Sequence, residues 1–192
     1  MSINIALLAS GSGSNAENIV AHFKDNDKFK VSLIVSNKKD AFVLQRADRL
    51  GIESKTFSKD DFGSMDCVLN FLKEKKIDFI VLAGFLLKVP QNLIEVYPNR
   101  IVNIHPALLP KFGGKGMYGD NVHKAVIESG EKESGITIHY INENYDEGAI
   151  IFQAKCPVSP TDSYEDVANK VHALEYEHFP AIIETVLLKT FC

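Results

Sequence analysis

The segment Ile101-Val-Asn-Ile-His-Pro106 holds an amide and an imidazole with one residue between them, at Asn103 and His105. If the surrounding apolar residues form a strand, alternate side chains share a face and both groups emerge on the same side. An Asn that donates to a developing oxyanion, beside a His that moves a proton, suits acyl transfer through a tetrahedral intermediate. The alternative is a strand end whose polar residues only satisfy nearby backbone groups. A carboxylate would complete the set, and Asp146 in Asn144-Tyr-Asp-Glu-Gly148 is the candidate, because loops at one sheet edge converge. A carboxylate beside an imidazole favours its charged form, which keeps a proton available for an acid step. Read alone, Asp146 is a solvated turn residue. His139, on an alternating stretch, reads as a packed or exposed strand residue, and His22, His123, His172 and His178 fall in helical stretches where surface positions are expected.

A second constellation opens the chain. Gly11-x-Gly13-x-x-Ala16 has the spacing of a dinucleotide fingerprint, in which glycines let backbone approach phosphate at a helix amino end. The acidic ribose ligand of that motif should close the second strand, yet Ser36-Asn37-Lys38-Lys39 stands there, which disfavours NAD and leaves NADP open. Ser14 and Asn15 point instead to a single phosphate, held by a hydroxyl, an amide and backbone N–H groups.

The elements that must position these residues follow from periodicity. Ile3 to Ala9 reads as a strand, followed by the glycine turn and a helix carrying Ile19, Val20 and Phe23. Val31 to Val35 is a second strand, and a helix containing Phe42, Val43, Ala47 and Leu50 stops at Gly51. A weak third strand covers Ser54 to Phe57. Helical spacing returns at Phe62, Val68, Leu69 and Leu72, before a strand from Phe79 to Ala83 that is apolar enough to be buried on both faces. Pro90 starts a short helix through Val96, and Ile101 to Ile104 is the fifth strand. Alternating β and α units predict a parallel, doubly wound α/β sheet with right-handed crossovers. From Pro106 to Gly119 the residues suit a loop over a binding edge. A helix around Val122 to Glu128 leads to a period-two strand, Ile136 to Ile141, and a run from Ala149 to Ala154, read as an antiparallel addition. Tyr164 to Leu188 is a long terminal helix, with a bend expected near Pro180.

Composition narrows the setting. The 192 residues, 45% hydrophobic and 24% charged, are enough for one well-buried core. A net charge of -4 argues against a broad nucleic-acid surface, so an anionic small molecule must be held locally. No apolar stretch approaches the roughly 20 residues that span a bilayer, and the opening residues lack the basic flank of a signal peptide, so a cytoplasmic protein without a membrane partner is expected. Cys67, Cys156 and Cys192 are scattered and show no metal-ligand spacing, so no metal is expected.

Taken together, Gly11-Ser-Gly-Ser-Asn15, Leu82-Ala-Gly-Phe85, Asn103-Ile-His-Pro-Ala-Leu-Leu-Pro110 and Tyr145-Asp-Glu-Gly148 resemble the motifs of the glycinamide ribonucleotide transformylases. The N-x-H-P-x-L-L-P element is shared by the wider formyltransferase group, while the opening glycine loop and Lys111-Phe-Gly-Gly-Lys-Gly-Met-Tyr-Gly119 point to this branch. The resemblance implies one Rossmann-like formyltransferase domain over 1–192, with a nucleotide-phosphate half over about 1–100 and a folate and catalytic half over about 101–192. Within these 192 residues no room is expected for the extra domain of methionyl-tRNA formyltransferases or of formyltetrahydrofolate deformylases. It also implies 10-formyltetrahydrofolate as cosubstrate, the ribonucleotide amine as acceptor, no metal, and a monomer or homodimer. By motif matching, Asn103, His105 and Asp146 are catalytic. Gly13, Ser14, Asn15 and Glu175 contact the ribonucleotide, and Leu86, Leu87, Lys88, Val89 and Asn103 contact the folate. The chain departs from the family where an Arg is common: Leu87 takes that place and Lys88 follows, and a second Arg is replaced near Met65. The family's Leu-Leu-Pro turn further implies a cis peptide between Leu109 and Pro110.

Overall fold

The computed structural model describes residues 2–64 and 66–192; Met65, beside which the resemblance marks a replaced arginine, lies outside them. The strands are β1 (Ile3–Leu8), β2 (Phe29–Ser36), β3 (Glu53–Thr56), β4 (Phe79–Leu82), β5 (Ile101–His105), β6 (Glu133–Tyr140) and β7 (Ile150–Pro157). The helices are α1 (Ser14–Phe23), α2 (Phe42–Leu50), α3 (Lys59–Gly63), α4 (Cys67–Glu74), α5 (Gln91–Val96), α6 (Asp120–Glu128) and α7 (Tyr164–Phe191). The strands form one sheet in the order β3-β2-β1-β4-β5-β6-β7. Every pair from β3 to β5 is parallel, and β5–β6 and β6–β7 are antiparallel. The strand order reverses between β1 and β4, and open α/β sheets bind ligands at the crevice this creates beyond the strand carboxyl ends.

Helices on both sides explain the unbroken apolar runs of the central strands. Ile5 and Leu7 of β1 and Phe79 and Val81 of β4 pack into one core with α1, α2, α6 and α7. Ala6, Leu8, Ile80 and Leu82 face the other, with α3, α4 and α5. On β5, Val102 and Ile104 join the first core, which turns Asn103 and His105 to the opposite face.

Several boundaries differ from the sequence reading, each for a local reason. The helical stretch from Phe62 to Leu72 is two helices, because the backbone turns extended at Ser64 and left-handed at Asp66. β6 begins at Glu133 and β7 runs to Pro157, beyond the apolar residues that marked them. The added polar ends pair with each other, Glu133 with Pro157 and Ser134 with Cys156, and a Lys155–Glu133 ion pair at 3.0 Å ties the two strands. α7 continues through Pro180 to Phe191, held by the buried Phe179, Pro180, Ile183, Val186 and Leu187. Its start is fixed by a reciprocal cap between Ser163 and Asp166. Gly51 takes the left-handed conformation expected of a helix stop, and the Leu109–Pro110 peptide is cis. Among the described residues, no helix is long and apolar enough to cross a membrane.

Candidate active site

The β5–β6 register builds the centre of the site. Asn103 lies opposite His139 and His105 opposite Thr137, so in this antiparallel pair all four side chains share the face left free by the first core. Thr137 is fully buried; its Oγ1 donates to the Ala107 carbonyl at 2.7 Å and accepts from the Leu109 N–H at 3.0 Å. Gln153 Nε2 donates to the same Oγ1 at 2.8 Å and to the Leu109 carbonyl at 3.1 Å. The chain leaving His105 is thereby clamped. His105 is itself buried, and its Nε2 donates to the Phe112 carbonyl at 2.7 Å. That bond leaves Nδ1 as the nitrogen able to exchange a proton.

Asp146 reaches this face by a route that the sequence reading did not foresee. Because β6 runs antiparallel, its end at Tyr140 lies beside Val102, near the start of β5, and the loop that follows curls back across the sheet face. Two features permit the curl. Asp146 adopts a left-handed φ of 57°. Gly148 sits so close to β6 that a Cβ there would fall 1.7 Å from the Tyr140 carbonyl oxygen. Asp146 Oδ2 accepts the Gly114 N–H at 2.9 Å and stands 3.7 Å from His105 Nδ1, while Oδ1 stands 3.7 Å from His139 Nε2. These spacings exceed hydrogen-bond length, so the carboxylate acts on the imidazoles here through its field.

The glycine turn lies at the other end of the site. Gly13 has φ 74°, and a Cβ there would fall 2.3 Å from Val43 Cγ2, so both conformation and space require glycine. The Val43 N–H donates to the Gly11 carbonyl at 3.1 Å, and Arg46 Nε to the Ser12 carbonyl at 2.8 Å, so α2 braces the turn from behind. The first-turn N–H groups of α1 have no acceptors within the helix, and together with its dipole they favour an anion. Asn15 Nδ2 donates to Glu175 Oε2 at 2.8 Å, and its own Oδ1 is buried without a protein partner. The same Glu175 oxygen takes His172 Nδ1 at 2.8 Å, and the carboxylate lifts His172 above the ordinary histidine range.

Between the two ends runs the segment after β4. Ser10 ties it down: its N–H donates to the Gly84 carbonyl at 3.0 Å, and its Oγ accepts the Leu86 N–H at 2.9 Å while donating to Asn37 at 2.5 Å. Leu86 and Tyr145 are exposed at the mouth, with Lys88 Nζ 5.8 Å from the Tyr145 ring centre. Gly13, Ser14, Asn15, Leu86, Leu87, Lys88, Val89, Asn103, His105, Asp146 and Glu175 all line one cavity of about 620 Å³. That volume lies within the roughly 300–1,000 Å³ of small-molecule sites. No residue from Ser36 to Lys39 lines it, so the space leads from the glycine turn over β4 and β5, away from where a dinucleotide ribose would lie.

One histidine departs from the sequence reading. His123, expected at the surface, is 3% exposed and lines the cavity, because α6 packs on α7. Burial pushes it below the ordinary histidine value. His172 is exposed, as expected, and also lines the cavity. His139 is fully buried; burial depresses it too, its Nδ1 meets the Tyr140 carbonyl at 2.9 Å, and its Nε2 meets Asn103 Nδ2 at 3.1 Å. One signal could have singled it out: in Ile136-Thr-Ile-His-Tyr140 the polar Thr137 and His139 alternate with buried isoleucines, as Asn103 and His105 do on β5.

Comparison with known proteins places this arrangement in a lineage. The chain is 40% identical over 188 residues to the chloroplastic phosphoribosylglycinamide formyltransferase of Arabidopsis thaliana, covering 95% of this chain and 64% of that protein's length. It is 36% identical over 185 residues to phosphoribosylglycinamide formyltransferase of Haemophilus influenzae, covering 94% of this chain and 85% of the relative. The crystal structure of phosphoribosylglycinamide formyltransferase from Bacillus halodurans superposes with a TM-score of 0.87 at 35% identity, covering 97% of this chain and 96% of that one. The formyl transferase family model matches residues 3–183, and with a sheet, a glycine turn and an Asn-x-His strand arranged as described, the chain belongs to the formyl transferase family.

Proposed function

We propose that the chain transfers the formyl group of 10-formyltetrahydrofolate to the amine of glycinamide ribonucleotide, giving formylglycinamide ribonucleotide and tetrahydrofolate, a step of de novo purine synthesis. One observation carries the reading: an anion-binding turn and an Asn–His–Asp set line the same cavity, so a phosphorylated acceptor held at one end can present its amine at the other. The phosphate sits on Gly13, Ser14 and Asn15, with Glu175 also in contact with the ribonucleotide. The folate lies along Leu86, Leu87, Lys88 and Val89, its formyl group beside Asn103. Residues 1–100 thus supply the phosphate turn, and 101–192 the catalytic trio. The enzyme acts in the cytoplasm as a monomer or homodimer on two small molecules, with no metal, membrane or nucleic-acid partner.

In the reaction, a C–N bond forms between the amine and the formyl carbon, and the bond to the folate nitrogen breaks as that nitrogen gains a proton. Asn103 donates one N–H of Nδ2 to the oxyanion of the tetrahedral intermediate. His105 exchanges a proton through Nδ1, and the Asp146 carboxylate stabilises the charge that then resides on the ring. The test is release of tetrahydrofolate on incubation with both substrates, repeated with methionyl-tRNA and with water as the only acceptor. Turnover that requires glycinamide ribonucleotide supports the reading; binding without turnover, or turnover only with another acceptor, overturns it.

A further inference from the structure

We propose that His139, as a neutral imidazole carrying its proton on Nδ1, is the positioning residue that fixes which way the Asn103 amide faces. The geometry stands without the formyl-transfer reading; its consequence for rate rests on that reading. A carbonyl oxygen only accepts, so the 2.9 Å contact with the Tyr140 carbonyl puts the hydrogen on His139 Nδ1. His139 has no exposed surface, and burial lowers its proton affinity, so Nε2 carries only a lone pair. Facing that lone pair at 3.1 Å, Asn103 must present its Nδ2, because its Oδ1 has no hydrogen to give. One Nδ2–H is then spent on His139, and the other is held in a fixed direction for the oxyanion. With the amide turned over, an oxygen would face His139 instead and the donor would be lost from its place.

The charged neighbours do not upset this assignment. Asp146 Oδ1, 3.7 Å from Nε2, favours a charged ring, and His105 opposes it, but burial is the largest influence on His139. The strand is also irregular at this residue: the β6–β7 register shifts between Ile138 and His139, a device that re-aims a side chain. Gly148 completes the support, since any Cβ there would displace the Tyr140 carbonyl on which the proton of His139 rests.

Two measurements test the assignment. Nitrogen-15 NMR of the wild-type ring at neutral pH should show Nδ1 protonated and Nε2 bare; an imidazolium, or the opposite tautomer, overturns the proposal whatever the protein's activity. In steady-state assays with both substrates, His139→Leu fills the space without an acceptor, while His139→Gln places a carboxamide oxygen near the position of Nε2. The Leu variant should lose on the order of 10- to 100-fold in kcat with little change in either KM, and the Gln variant should recover most of the loss. Combined with Asn103→Ala, His139→Leu should cost no further rate; an additive loss would assign His139 a merely structural part and sink the idea. An inactive wild type would count against the function proposed above and leave the NMR result to decide the geometry.

Discussion

Each residue of the proposed catalytic set has only one or two atoms free to act, and the variants follow from which atoms those are. Asn103→Ala removes the proposed oxyanion donor and should lower kcat on the order of 100- to 1000-fold. His105 has committed Nε2 to Phe112, so proton exchange runs through Nδ1, and His105→Ala should cost roughly 100- to 10,000-fold. Asp146→Asn keeps shape but removes charge, so the loss should fall on kcat while KM for both substrates holds. Near-wild-type turnover at saturating substrate in these variants would leave the Asn-x-His pair merely structural. Asn103 and His105 were legible in the sequence because one strand carries both, and alternation along a strand is local. The pairing of His139 with Asn103 was not, because the two lie 36 residues apart and meet through a register that adjacent residues do not encode.

At the scale of elements, the glycines that matter are those where something stands in the place of a side chain. Gly13→Ala would drive a methyl into Val43 at a left-handed φ, so the turn must shift. We expect a stability loss of about 1–3 kcal/mol and a raised KM for the phosphorylated substrate, read from urea unfolding and steady-state kinetics. Gly148→Ala meets backbone instead, and should open the loop that carries Asp146. Its signature is a fall in kcat with KM for the ribonucleotide unchanged, the reverse of the Gly13 pattern. Strands β1, β2, β4 and β5 could be read from the sequence because an apolar run between turn signals suffices when both faces are covered. The ends of β6 and β7 could not, since polar residues there are held by pairing across strands. The route of Asp146 was hidden for a related reason: the curl of its loop rests on a left-handed backbone at Asp146 and on Gly148 packed against β6, which no local pattern encodes.

For the whole molecule, three histidines contribute to the response to pH near neutrality. His123 and His139 are pushed down by burial, so the folded state binds fewer protons there, and stability falls as pH drops below about 6.5. His172 is held up by Glu175, so its contribution is fully present below about 6.5 and is lost as pH rises through its folded value. His172→Gln should therefore unfold at lower urea than wild type in mildly acidic buffer and match it in alkaline buffer. An equal deficit at both ends of the range would show that the ring acts by packing alone.

The contact between Asn15 and Glu175 joins residues 160 positions apart, and Asn26 and His22 reach Glu184 in the same way. Synthesis proceeds from the glycine turn toward α7, so the turn emerges first and waits for its last side-chain partner through the making of the entire sheet. The proposed anion site, finished so late, can report on the ribosome's progress: phosphate should protect the chain from protease only after α7 has been released from the exit tunnel, whereas the β1–β4 half of the sheet can gain resistance before then.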